Sequence, residues 1–261
     1  MTAGNSGLRI TDLALSFRED YDLNGLVVAF PDRHGGVSAS PYDTLNLGFS
    51  TGDDPAAVVE NRRRLVEAVG VEPRRVLVPG QVHGCQILFA EEKLAGAGFH
   101  QPGEISGGHD VVLLREPNLF ALALTADCPL VTVVDPVNRH VGVAHCGWRG
   151  TVAGAVDQLL DQMGPPEALL AMISPGIRGS RYPVGPEVIE AVAPLPGASE
   201  AVSEGTLDLA TILLKTLQQT GLERSRISLD PRCSHGDPDL FSHRRDQGRS
   251  GRGGCLVGWK F

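Results

Sequence analysis

Four short apolar runs succeed one another in the middle of the chain, at 111–114, 119–124, 130–134 and 141–146. Apolar runs of this length, set off by turn residues, read as β-strands. They make the centre strand-rich, and further strands are expected at 26–30, 76–78, 86–90, 169–173 and 255–259. Helices are interspersed. Asp54-Pro55 is a helix start, because Asp caps and Pro suits the first helical position. The helix that follows carries Val58, Val59, Leu65 and Val69, with the charged run 60–64 expected toward solvent. Two more helices are expected at 151–163 and 207–222, the first burying Val152, Val156, Leu159 and Leu160. No repeat, linker or composition break divides the 261 residues. The expected fold class is therefore α/β (α+β), a single domain over 1–261 with a mixed β-sheet core flanked by helices.

Composition narrows the class. Hydrophobic residues at 42% and charged residues at 21% are ordinary globular values and exclude a disordered chain. A net charge of −8 argues against nucleic acid as partner, so an anionic ligand needs a local cluster of positive charge. Five cysteines, an odd and low number, exclude a disulfide framework and point to reduced thiols. Residues 1–20 lack a basic region followed by a long apolar run, and no apolar stretch is long enough to cross a bilayer. The expectation is a cytoplasmic protein with no membrane partner, as a monomer or small homo-oligomer.

Among the cysteines and histidines, Cys128 follows an apolar strand and precedes Pro129, which places its thiol at the end of a rigid element. An inert buried cysteine fits the same facts. Along 141–146, strand alternation puts Val141, Val143 and His145 on one face and Ala144 and Cys146 on the other, so His145 and Cys146 do not serve one metal. His145 could equally be a core histidine, but it precedes a glycine-bracketed turn that enters a helix, where anions bind. His83 lies between Gly80 and Gly84, in a turn that admits close approach of a ligand or holds an exposed imidazole. His83, Cys128 and His145 would supply the three protein ligands of a catalytic zinc site, although their separations match no compact zinc motif. The eight histidines form no His-x-His pair, which speaks against a conventional multicopper cluster, while a soft Cys/His site would still take copper.

Six blocks occur in order: Arg33-His34-Gly35-Gly36-Val37-Ser38, Leu45-Asn46-Leu47-Gly48, Gln81-Val82-His83-Gly84, Ala126-Asp127-Cys128-Pro129, Ala144-His145-Cys146-Gly147-Trp148-Arg149-Gly150 and Ser242-His243-Arg244-Arg245-Asp246. Together they resemble the YfiH/YlmD-type laccase-domain family, formerly called multicopper polyphenol oxidases, whose fold is cysteine-hydrolase-like. The resemblance runs from about Leu26 to Trp259. It implies a zinc centre on His83, Cys128 and His145. It also implies phosphate-dependent cleavage of adenosine, inosine, guanosine and methylthioadenosine, with accompanying adenosine deamination. One departure is His243, where the family tail carries Tyr.

For that chemistry, Asp127 is the nearest proton-shuttling carboxylate by sequence, although an Asp at a strand end also caps turns. Arg33, Arg149, Arg244 and Arg245 are the candidates for phosphate, since the planar guanidinium grips two oxygens at once. Arg149 also sits just before a helix. Gln81, Asn46 and Trp148 are candidates to read or stack the purine, with interior packing the plain alternative for Trp148. Pro175-Gly176-Ile177 reads as a structural turn. Two other functions stay open: a cysteine hydrolase or amidase using Cys128 and His145, for example in cell-wall precursor editing, and polyphenol oxidation with bound copper.

Overall fold

The computed structural model describes residues 7–261. Residues 1–6, the start of the stretch read for a leader, lie outside it. In chain order the strands are β1 (Ile10–Asp12), β2 (Leu26–Pro31), β3 (Val76–Leu77), β4 (Ile87–Ala90), β5 (Val111–Leu114), β6 (Phe120–Thr125), β7 (Leu130–Asp135), β8 (His140–His145), β9 (Leu170–Ile173), β10 (Val202–Ser203), β11 (Thr206–Leu207), β12 (Ile227–Leu229) and β13 (Gly253–Trp259). The helices are α1 (Pro55–Ala68), α2 (Trp148–Val152), α3 (Ala155–Leu160), α4 (Pro186–Val192), α5 (Ala198–Ala201) and α6 (Leu209–Gln219).

The strands form two large mixed sheets, ordered β1-β2-β13-β6-β3 and β12-β9-β7-β8-β5-β4, and a small β10-β11 hairpin. In the first, the pairs are antiparallel except β3 with β6. In the second, β4–β5 and β12–β9 are parallel and the rest antiparallel. The fold is mixed α/β, as expected, with the strand core split into two layers.

Side-chain alternation builds those layers. Val28, Phe30, Ala121, Ala123 and Val257 of the first sheet meet Val112, Leu114, Val141, Val143 and Met172 of the second in one core. The opposite faces are not wet. Val27, Leu122 and Leu256 pack with Leu65 and Val66 of α1. Val111, Leu113, Val131 and Ile173 pack with Val156 and Leu159 of α3 and Leu213 and Leu217 of α6. Strands buried on both faces read as continuous apolar runs, which is why the central four stand out in the sequence.

Two helical expectations need correction. The charged run 60–64 does not face solvent throughout, because Asn61 and Arg62 are buried with Val58, Leu65 and Val66. The helix expected at 151–163 is two pieces, broken where Gly154 adopts φ +80°, and Val152 points outward.

Candidate metal centre and cleft

The connections between the two sheets create the site. The β3–β4 connection carries His83, and the β6–β7 connection carries Cys128. Both chains leave the five-stranded sheet and enter the six-stranded one. His145 ends β8. The ligand atoms of these three side chains lie within 4.8 Å of one another, and the two imidazole rings meet edge to face with centroids 4.9 Å apart.

One buried carboxylate organises the cluster. Asp110 Oδ1 accepts from His145 Nδ1 (2.8 Å) and from the His83 backbone N–H (2.9 Å). Its Oδ2 accepts from the N–H groups of Val82 (3.0 Å) and Gly84 (2.8 Å). The His83 turn, with φ +63° at His83, is thereby wrapped around a single charge. The bond to Nδ1 fixes the His145 tautomer and leaves Nε2 for the cluster, the usual carboxylate–histidine support of a metal ligand.

Burial opposes charge here, and the partners overcome it. Burial alone would raise the Cys128 thiol, but hydrogen bonds and positive charge from His145 and His83 hold it down at about 6. His145 is pushed up to about 9: burial works against its proton, while Asp110 and the Cys128 thiolate favour it. Asp110 stays below the ordinary carboxylate range, since His145 and the Gly84 and Val82 N–H groups outweigh its desolvation. Cys146 lies on the opposite face in the apolar core, and burial raises its thiol, so it takes no part. Two imidazoles and a thiolate form a soft N/S donor set suited to zinc or copper. A Cβ on Gly147 would come 2.9 Å from Cys128 Sγ and 3.2 Å from His83 Cδ2, so only glycine leaves the cluster its room.

The cluster opens into a cleft of about 480 Å³. Gln81, Asp127 and Arg244 line it with the three ligands. Gln81 is occupied structurally, its amide donating to Leu124 O (2.9 Å) and accepting from Leu124 N–H (2.7 Å). Asp127, at φ +93°, accepts from Ser234 Oγ (2.6 Å) and the Arg244 N–H (2.7 Å).

The other candidates lie elsewhere. Asn46 is fully buried, bonded to Gly48, Thr51, Asp53 and the Arg252 N–H, and does not line the cleft. Arg33 is turned to the Asp43 carbonyl and stacks on Phe241. Arg245 braces the carbonyls of Ser234, Asp237 and Leu240. Trp148 and Arg149 stack on each other in an adjoining open groove that shares Tyr182 and Arg244 with the cleft.

Several lining residues escaped the sequence reading, among them Phe49, Arg62, Tyr182 and Arg252. Tyr182 brings a phenol into a cleft whose tail carries His243. Burial and the Cys128 thiolate push that phenol up to about 12, so it presents a neutral O–H.

The family model described as multi-copper polyphenol oxidoreductase laccase matches residues 27–260. This chain belongs to that laccase-domain family. Among its relatives is "Purine nucleoside phosphorylase YlmD" of Bacillus subtilis, 31% identical over 98% of this chain and 95% of that protein. The crystal structure of the Bacillus licheniformis hypothetical protein YfiH superposes with a TM-score of 0.87 at 28% identity, covering 90% of this chain and 93% of the other. YlmD from Geobacillus stearothermophilus gives 0.82 at 32% identity, over 91% and 93%. This laccase-domain protein thus shares its fold with YfiH and YlmD structures and its sequence with a protein named as a purine nucleoside phosphorylase.

Proposed function

We propose that this laccase-domain protein is a zinc-dependent purine nucleoside phosphorylase that also deaminates adenosine, folded as one domain and working in the cytoplasm. The observation that carries the reading is the His83–Cys128–His145 cluster, braced by Asp110, at the wall of a cleft that also holds arginines. The family relationship supplies the substrate class. The core shared by both sheets supports reading the chain as one domain.

Zinc held by these three residues would supply a Lewis acid at the cleft wall. The remaining work falls to the chain itself. In phosphorolysis a phosphate oxygen attacks C1′ of the ribose, the C1′–N9 bond breaks, and the purine leaves with a proton. Cationic side chains hold the phosphate and offset its charge. Tyr182, with its neutral O–H on the cleft lining, would donate to the nucleoside, and Asp127, on the same lining, would move a proton. Arg149 sits beside the cleft, where it could assist at the mouth.

Zinc-loaded protein incubated with adenosine or inosine should release base and ribose 1-phosphate only when phosphate is present. Hypoxanthine from adenosine would report the deamination. No turnover of any purine nucleoside would overturn the reading.

One observation favours a second reading. Cys128 is a thiolate paired with His145, which is oriented by Asp110, the order of parts found in cysteine hydrolases. Activity that survives chelation and dies on thiol alkylation would select it. Polyphenol oxidation by several coppers finds less support, since among the described residues one three-ligand cluster is present.

A further inference from the structure

Helix α1 turns a cation inward. Arg62 is only 1% exposed, and a buried guanidinium without a counter-charge is unfavourable. Its Nε donates to Leu47 O (2.7 Å), and its Nη1 to Gly98 O (2.7 Å) and Phe99 O (2.8 Å). All three acceptors are neutral, and they use three of the five guanidinium N–H groups. Those on Nη2 have no protein acceptor among the described residues. The acids of the same helix are engaged elsewhere, Glu60 with Arg63 and Arg64 and Glu67 with Arg63. The Phe49 ring covers the guanidinium face at 4.4 Å, and both residues line the cleft.

A second cation shares this arrangement. Arg252 lines the same cleft, and its Nη1 donates only to the carbonyls of Ser250 and Gly251. The charges of Asp127 and Cys128 favour its protonated form, but neither makes an ion pair with it, and the Asp127 oxygens accept from Ser234 and the Arg244 N–H instead. One polar knot positions both arginines. Asn61, beside Arg62, donates to Asn46 O (2.9 Å), and Asn46 Oδ1 accepts the Arg252 N–H (2.8 Å). The burial of Asn46, which removes it from substrate contact, thus gives it a different task.

We infer that Arg62 and Arg252, neither of which has an ion-pair partner among the described residues, form an anion-binding pole of the cleft whose ligand is inorganic phosphate. Of the reactants proposed above only phosphate is charged, so its identity as the ligand rests on that reading, whereas the unpaired cations do not. The two guanidinium groups suit a tetrahedral dianion: Arg252 keeps its parallel Nε and Nη2 N–H groups for two oxygens, and Arg62 adds the donors of Nη2. The pole lies on side chains other than the four arginines that the motifs single out.

The test uses full-length zinc-loaded protein and the variants Arg62→Met and Arg252→Gln, with Arg74→Gln on the exposed surface as control. Phosphate is varied at saturating inosine, and inosine at saturating phosphate. Each cleft variant should raise KM for phosphate about tenfold or more, as expected for a lost charge-assisted contact, and leave KM for inosine within about twofold. An unchanged KM for phosphate in Arg252→Gln, with phosphorolysis intact, overturns the inference and leaves the proposed function standing. Arg62→Met also removes three buried hydrogen bonds, so Arg252→Gln carries the test if that variant does not fold. Should wild-type protein phosphorolyse nothing, thermal melting with inorganic phosphate alone still decides. Protection that is lost in Arg252→Gln supports the pole, and absence of protection in the wild type overturns it.

Discussion

At the scale of single residues, Asp110 organises the His83–Cys128–His145 cluster without belonging to it. It accepts the His145 ring N–H and three backbone N–H groups of the His83 turn. Asp110→Asn should weaken zinc binding roughly 10- to 100-fold, measured by chelator competition. Gly147→Ala should lower zinc content by pressing on Cys128 and His83, with stability less affected than metal affinity. Protonation of the metal-free cluster makes a third expectation. Between about pH 6 and pH 9 Cys128 is a thiolate and His145 an imidazolium, so zinc binding must release the His145 proton. Release should fade above pH 9, as that proton is already gone, and increase below pH 6, as the thiol regains its own. Calorimetry in buffers of different ionisation enthalpy measures it. The three side chains of the cluster were named from the sequence through the family motifs, since position at the end of an apolar run leaves Cys128 and His145 equally readable as core residues. Asp110 was not, because an acid before a strand looks like any turn residue until the fold carries His145 to it. Asn46 and Arg245 misled for the converse reason: a motif marks a residue that matters without saying whether it meets substrate or backbone.

At the scale of elements, α1 is the instructive case. Its start was readable, and the Asp54 side chain does accept the Ala56 N–H. Asp54→Ala should cost about 1 kcal/mol and lower Tm by roughly 2–4 °C, as read by thermal melting. Its inner face was not readable, because the buried stripe includes Asn61 and Arg62, and polarity alone assigns both to solvent. The solvent side holds Glu60, whose bonds to Arg63 and Arg64 depress its carboxyl from the ordinary 4.5 to about 2. A depressed carboxylate stabilises the fold above its ordinary value and loses that effect as pH falls through the depressed one. Glu60→Gln should therefore be slightly less stable than wild type at pH 7, with the gap closing between about pH 4.5 and pH 2 in denaturant titrations. The break at Gly154 was missed because a lone glycine inside a helical pattern is tolerated, and only its left-handed φ of +80° ends the helix here.

At the scale of the whole molecule, the sequence showed that strands dominate the centre. It did not show that they divide into two facing sheets, because strand order depends on pairing between distant segments such as β13 with β2 and β6. That division gives the proposed metal centre a second role. Cys128 and His83 each lie on a crossing from one sheet to the other, and His145 ends a strand of the sheet they enter. An ion gripped by all three would rivet the two layers together at one end. The metal-loaded protein should melt above the chelated one, by about 2.7 kcal/mol at free zinc 100-fold over its dissociation constant. Equal melting curves would show that the layers hold without the rivet. If the rivet does hold them, scarcity of the ion shortens the life of the protein as well as slowing its turnover, and the pool of active enzyme becomes a record of metal supply.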